Sequence, residues 1–435
     1  MKPVFARALA ACAGMCLTGL GGALHAAGGD ATRDESRAAL TLERAVELAM
    51  RRNPELAASV FELTAGQARV AQAALRANPE LALEFENFAG SGAAHGTDAL
   101  ETTLSLSQVI ELGGKRGRRV GAARAAFDLV GVEQQARQLD VLAQVTTRFI
   151  DVVALQERVR FAGHSRDLAQ RTLDAIAARV TAGRTPEAER SRARIALLRV
   201  EIDERQAHSA LRGARRALAS LWGEAEPRFG TARADLYALP PVAPLAELEA
   251  RIGRNPDIAR FASEARLREA ELALARAGAR PNLALGLGVR RLGETSDTAL
   301  VAGFSMALPA FGRNQGTIRE AEARISQSTA AREAALIRVR STLFGLYEQM
   351  VAVRDRGDAL RDRAVPQARI ALEQTRYGYD RGRFSFLELV TAQQELLELE
   401  AAAIDAATDY HRLLAELERI TSEPLTLPVS EAPAP

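Results

Sequence analysis

The residue types that carry catalysis or hold metals are sparse in this chain and do not converge. Five histidines are spread along 435 residues, at positions 25, 95, 164, 208 and 411. The two cysteines, Cys12 and Cys16, sit close to the start. A metal centre needs several ligands brought to one point, and these spacings give none. No glycine-rich phosphate loop and no nucleophile–base pair is recognisable, so the sequence predicts neither enzyme nor cofactor nor resident metal. What stands out instead is a set of acids and hydroxyls at every second position. Glu84 and Glu86 alternate with Leu81, Leu83 and Phe85; Glu101, Thr103 and Ser105 alternate with Leu100, Thr102, Leu104 and Leu106. Such residues wet a surface and set its potential.

That period of two predicts strands with one apolar and one polar face. Residues 80–111 read as one hairpin, with Gly90–Thr97 as its loop. Residues 282–311 read as a second. There Leu283, Leu285, Leu287 and Val289 share a face, as do Leu300, Ala302, Phe304, Met306 and Leu308. The opposite face is small: Gly286, Gly288, Gly303, Ser305 and Ala307. A soluble hairpin packed on a helix would show the same alternation. Four strands of roughly ten residues, each apolar on one side only, suit a barrel with lipid outside and water inside. Four cannot close such a barrel, and open edges are not tolerated in lipid, so several copies must pool them. Two copies would give eight strands around a filled interior; three would give twelve around a lumen. On this reading Glu84, Glu86, Glu101, Ser105 and Ser305 face the lumen, and the acids favour cations.

The elements that must carry these hairpins are long helices. Gly114 to Thr181 contains no proline, and Leu142, Val145, Phe149, Val152 and Val159 recur at heptad spacing. A single helix over that span measures about 100 Å at 1.5 Å per residue, too long for one globular core, so it is expected to supercoil with neighbours. Thr185 is expected to cap a return helix striped by Ile195, Leu198, Ile202, Leu211, Leu218 and Leu221. A short helix from Leu42 to Arg52 precedes one opened by Asn53-Pro54 and running to Ala77.

The chain repeats itself. Arg52-Asn53-Pro54-Glu55-Leu56-Ala57 returns as Arg254-Asn255-Pro256-Asp257-Ile258-Ala259, and Pro79-Glu80-Leu81-Ala82-Leu83 as Pro281-Asn282-Leu283-Ala284-Leu285. Ala182-Gly183-Arg184 is answered by Arg381-Gly382-Arg383. The expected organisation is a first repeat over 40–222, with its helical hairpin at 114–222, a proline-rich linker over 223–244, and a second repeat over 245–422, with its helical hairpin at 314–421. In the second repeat Pro366 is expected to kink a helix, and Ser385 with Glu388 to form a capping box. Leu396, Ala403, Tyr410 and Leu417 repeat every seven residues. Residues 423–435 read as a disordered tail.

Residues 1–26 read as a cleaved export signal, with Lys2 and Arg7 before an apolar core and Leu24-His25-Ala26 as the cleavage site. Leu9-Ala10-Ala11-Cys12 also resembles a lipoprotein box, although the apolar run before it is short. The formal net charge is +2, and loss of Lys2 and Arg7 brings it to zero. A nucleic-acid partner would call for a basic surface.

With both halves in view, the sequence resembles the TolC-type outer-membrane factors of Gram-negative tripartite efflux systems over nearly all of residues 40–422. Glu111-Leu112-Gly113-Gly114-Lys115-Arg116 resembles the segment after the first hairpin in the CzcC-like cation efflux branch. Pro309-Ala310-Phe311-Gly312-Arg313-Asn314-Gln315-Gly316 resembles the family's Pro-x-Phe-x-Arg-Asn-Gln-Gly segment, with Ala310 and Gly312 as loop-like departures. The resemblance implies a mainly helical TolC-like fold: a coiled-coil tunnel plus four strands per chain, a homotrimer and a 12-stranded barrel. It implies a place in the outer membrane with a periplasmic extension, a periplasmic membrane-fusion adaptor and an inner-membrane RND-type pump as partners, and a heavy-metal cargo (cobalt, zinc and cadmium, or copper and silver). The same channel serving drugs or secreted polypeptides is the alternative. Two helix–turn–helix tips, Val180–Pro186 and Tyr377–Phe386, would meet the adaptor through Gly183, Arg184, Arg381, Gly382 and Arg383, with Tyr377 and Asp380 at the closed aperture.

Overall fold

The computed structural model describes residues 39–423. The export segment 1–26, Cys12 and the tail beyond Glu423 lie outside the described residues. The chain forms two compact units. One takes residues 39–58, 135–255 and 336–423; the other takes 59–134 and 256–335. Each sequence half contributes to both.

Element order follows local chemistry closely. Helix α1, Leu42–Arg52, opens on Thr41, whose side chain accepts the Arg44 N–H at 3.3 Å. Asn53 then does two jobs. Its Oδ1 accepts the N–H groups of Glu55 and Leu56, opening α2 (Pro54–Ala73), while its Nδ2 donates to the Leu221 carbonyl at 2.9 Å. In the second half Asn255 stands before α6 (Pro256–Gly278) and donates to the carbonyls of Arg419 and Ile420. The repeated Asn-Pro pair thus starts one helix and caps the end of another, which satisfies carbonyls that a helix terminus leaves open.

The first unit is helical. It holds most of α3 (Lys115–Thr181), α4 (Glu187–Ser220), the short α5 (Leu245–Arg251) and most of α7 (Gln315–Ala359), together with α8 (Val365–Asp380) and α9 (Phe386–Thr421). Its larger core gathers Val145, Phe149, Val152, Leu218 and Trp222 with Ile404 and Ala407. A second core joins Ile176 and Ala193 to Leu372, Tyr379, Phe386 and Leu396. The heptad on α9 is buried throughout, from Leu396 to Leu417.

Several expectations are corrected here. Helix α4 starts after Pro186 with no side-chain cap, so Thr185 is not its N-cap. Ile195, Leu198 and Ile202 are about half exposed, and α4 packs through Ala193 and Leu197 instead. The small Ala193 allows close approach to the Ile176 cluster and leaves Ile195, Leu198 and Ile202 facing outward, while Leu211, Leu218 and Leu221 of the same stripe pack into the larger core. Just before Pro366, where a kink is expected, the helix is interrupted by a five-residue π turn, Leu360–Ala364. Proline cannot donate to the carbonyl four residues back, and the wider turn absorbs the lost bond. The capping box forms as expected: Ser385 donates its N–H to Glu388 Oε2 at 2.6 Å, and Ser385 Oγ accepts the Glu388 N–H.

The stretch read as a linker is packed. Phe229, Ala232, Leu236 and Ala243 are buried. Gln156 brackets Ala232, donating to its carbonyl and accepting its N–H, both at 2.8 Å. His411, buried on α9, donates from Nε2 to the Leu236 carbonyl at 3.0 Å. Burial lowers its pKa below the ordinary imidazole value. The unfolded chain therefore binds a proton near pH 6.5 that the folded chain refuses. Stability from this site is complete above that pH and declines as pH falls below it. A His411→Gln variant is expected to flatten the loss of thermal stability between pH 7.5 and pH 5. An unchanged slope would mean the acid response lies elsewhere.

The second unit contains the sheet, ordered β1-β2-β3-β4 and antiparallel throughout. The strands are Glu80–Glu86, Glu101–Ile110, Leu283–Leu292 and Thr298–Met306, so Leu100 and Leu308 fall just outside. Helix α2 ends at Ala73 rather than Ala77. Arg119 donates to the carbonyls of Ala73 and Leu75, both at 3.0 Å, and is held by Glu111 at 2.6 Å. A guanidinium takes the bonds that another helical turn would have used. Asn314, at φ 58°, donates to the Ala275 carbonyl of α6 at 2.7 Å just before α7 opens. That gives the Arg-Asn-Gln-Gly segment a structural role.

Candidate channel wall and helical tips

Register decides what each face of the sheet presents. Leu83, Leu104, Val289 and Leu300 lie in one row across the four strands; Leu81, Leu106, Leu287 and Ala302 form the next. This apolar face is open in the single chain: Leu81 is 72% exposed, Leu287 71% and Leu300 88%. A soluble hairpin would bury these side chains under a helix. Here nothing in the unit covers them, and exposed apolar patches of this size mark a membrane or partner surface. The first and last strands, β1 and β4, leave their outer edges unpaired among the described residues. Among the described residues no helix is long and apolar enough to cross a membrane.

The other face carries Glu84, Glu86, Glu101, Ser105 and Ser305, all at one parity of the register. Toward the helix-bearing end it is nearly bare, with Gly286 opposite Ser107 and Gly303. Gly288 is obligatory there: a Cβ would lie 2.8 Å from the Leu104 carbonyl oxygen. Toward the loop end it is charged, and Glu86 and Glu101 are both paired. Arg290 on β3 reaches Glu101 on β2 at 2.8 Å and Glu86 on β1 at 3.0 Å, and its Nε donates to Thr103 at 2.9 Å. Asn87 also donates to Glu101. One arginine thus ties both hairpins together and offsets part of the acidic charge. Arg290 has the parity of Gly286 and Gly288, which was the available signal; its pairing across three strands was not visible in the sequence.

At the two tips of the helical unit the same turn is built twice. After α3, the Arg184 N–H bonds to the Arg179 carbonyl and the Gly183 N–H to that of Val180. After α8, the Arg383 N–H bonds to Gly378 and the Gly382 N–H to Tyr379. Both are Schellman closures with glycine in the left-handed region, φ +67° at Gly183 and +72° at Gly382. Tyr377 is exposed, with the Arg381 guanidinium stacked 3.4 Å from its ring centre, and Asp380 is exposed beside it. Tyr379 is the tyrosine in the core. Arg179 donates to its carbonyl at 3.1 Å and lies over its ring, so the ends of the two helical hairpins touch. Gly378 was missed by sequence reading; the Phe384 ring fills the space a side chain would need.

Among the described residues no group of three His, Cys, Asp or Glu is placed to hold a metal ion. His95, His164 and His208 are exposed and far apart in sequence, and His411 is committed to a backbone carbonyl.

Comparison with known proteins agrees with this geometry. The model of the family described as "Outer membrane efflux protein" matches twice, over residues 45–224 and 248–423. The chain is 30% identical over 389 residues to the cobalt-zinc-cadmium resistance protein CzcC of Cupriavidus metallidurans, covering 89% of this chain and 91% of that one. The chain belongs to the outer membrane efflux protein family. It is a TolC-type outer-membrane efflux channel protein, in a family of channels rather than enzymes. It is also 25% identical to the nickel and cobalt resistance protein CnrC of the same organism, over 64% of this chain and 65% of that one. A solved structure of CusC shares the fold of this efflux protein at a TM-score of 0.75 and 17% identity. It covers 87% of this chain and 91% of that one.

Proposed function

We propose that this chain is the outer-membrane exit duct of a tripartite RND-type pump that expels heavy-metal cations, such as cobalt, zinc and cadmium, or copper and silver. Supporting the cargo is the similarity to CzcC along nine-tenths of both chains. Supporting the duct is the four-stranded sheet, apolar on one face and open at both edges. Three copies pool twelve strands, leave no edge in lipid and keep a lumen open. A periplasmic membrane-fusion adaptor and an inner-membrane pump supply the other two parts. Gly183, Arg184, Arg381, Gly382 and Arg383 present the turns that meet the adaptor, and Tyr377 and Asp380 stand at the aperture. Metal selectivity resides in the pump, because the channel wall offers charge but no ligand cluster.

Deleting the gene and scoring tolerance to zinc, cadmium, cobalt, copper and a panel of antibiotics tests the cargo. Loss of metal tolerance with antibiotics unaffected is expected; the opposite pattern transfers the role to drug export. The wall is tested by Arg290→Gln. With Glu84, Glu86 and Glu101 facing the lumen and their arginine removed, the reconstituted channel is expected to pass cations over anions more strongly. The reversal potential in a potassium chloride gradient reads this directly, and an unchanged value would place the charged face away from the lumen.

A further inference from the structure

Where the sheet meets its helices, the second unit carries a feature that conduction leaves unused. Between the end of α2 and the start of α3 lies a cleft of ≈ 460 Å³, lined by Arg69, Gln72, Leu75, Arg76, Glu111 and Arg119 among others. Glu111 is fully engaged by Arg119, which also closes α2. Arg69 and Arg76 are exposed and form no ion pair with a described residue. Two uncompensated guanidiniums therefore share one cleft, and like charges at close range repel.

The neighbouring charges sharpen the point. Helix α3 begins Lys115-Arg116-Gly117-Arg118-Arg119, with no acid in its first turn. The positive end of a helix dipole ordinarily attracts acids, and cations there are unfavourable unless an anion sits between them. Lys115 is held by Asn282 at 2.6 Å, whereas Arg116 and Arg118 are exposed. At the same end of the sheet, just past β4, apolar side chains are exposed, with Leu308 at 75% and Phe311 at 98%. An apolar band that passes through an aromatic into clustered arginines is the profile of a hydrocarbon–headgroup boundary.

We propose that the Arg69–Arg76–Arg119 cleft binds the phosphodiester headgroup of an anionic phospholipid in the membrane leaflet on the helix side of the sheet. The phosphate enters between Arg69 and Arg76, Arg119 stays on Glu111, and the acyl chains lie along the apolar strand face. This rests on the outer-membrane placement of the sheet and not on the cargo.

The test is native mass spectrometry of the full-length oligomer in detergent, titrated with phosphatidylglycerol or phosphatidylcholine, for wild type and the Arg69→Gln/Arg76→Gln double variant. Phosphatidylglycerol is expected to bind wild type roughly tenfold more tightly than phosphatidylcholine, and the variant is expected to bind both alike. Inorganic phosphate added at millimolar concentration is expected not to displace the lipid. Equal retention of the two lipids by wild type, or undiminished preference in the variant, overturns the proposal. Displacement by inorganic phosphate overturns it in favour of a free-phosphate site. Bilayer conductance of the same double variant separates the two readings: an unchanged channel with lost lipid preference supports the site, whereas no conductance from wild type would count against the duct itself.

Discussion

Leu287→Arg is expected to remove the protein from the outer membrane. Leu287 lies in the row Leu81–Leu106–Leu287–Ala302, on the apolar face of an inner strand. It is 71% exposed within the chain, so no protein neighbour has to yield. The penalty comes from lipid: an arginine on the outward face costs about 2–4 kcal/mol near mid-bilayer. Every copy in the assembly bears it, and a domain's whole net stability is only about 5–15 kcal/mol. The matched control is Ser105→Arg. Ser105 faces the other way, and its cross-strand partner Gly288 leaves room for a long side chain above it. That variant is expected to assemble at wild-type levels and to shift conductance. Folded oligomer in outer-membrane fractions, with single-channel recordings, distinguishes the two. Equal loss from both would show that the faces are assigned the wrong way round.

Gly382→Val is expected to abolish efflux while the oligomer survives. At φ +72° the residue is in the region that L side chains avoid, at about 1–2 kcal/mol, and valine is among the worst suited. Beyond its two chain neighbours, no atom of the described residues stands within 4 Å of the position a Cβ would take, so the effect is one of backbone conformation alone. The turn holds Arg381 over Tyr377 and sets the direction in which α9 leaves. Losing the Schellman bonds from Gly382 and Arg383 would disorder both. Gly382→Asn is the discriminating partner, because asparagine tolerates the left-handed region and can keep the turn. Metal tolerance lost in the valine variant and retained in the asparagine variant ties function to turn geometry. If valine works as well as glycine, the tip does not act through this conformation. Gly183, at φ +67° in the matching turn, should respond in the same direction.

Much of the fold was legible because its signals are local. Thr41, the Asn53-Pro54 and Asn255-Pro256 pairs and the Ser385/Glu388 box announce helix starts within four residues. The alternation around Leu83 and Leu285 announces strands and even the face each side chain takes, since a strand has only two. Long heptads on α3 and α9 announced helix–helix packing. The long-range misses share a cause. Arg119 ends α2 from 46 residues away, His411 bonds to Leu236 across 175, and Arg290 reaches Glu101 across 189. No window of sequence holds both partners of such a contact. The outward turn of Ile195, Leu198 and Ile202 belongs here as well, since periodicity names a stripe but not which neighbour covers it.

By itself the sequence determined the element types, the duplicated plan, the amphipathic character of the strands and the membership of an outer-membrane efflux family. These depend on spacing along one chain: 3.6 residues per turn, two per pleat, and glycine or asparagine where the backbone must reverse. Only the tertiary structure decided how the wall's charge is distributed, which tyrosine of the tip is buried, and where arginines are left without acids. Those outcomes depend on which side chains meet across strands and helices distant in sequence. The energy of a charge is set by what stands within a few ångströms of it, not by its neighbours along the chain.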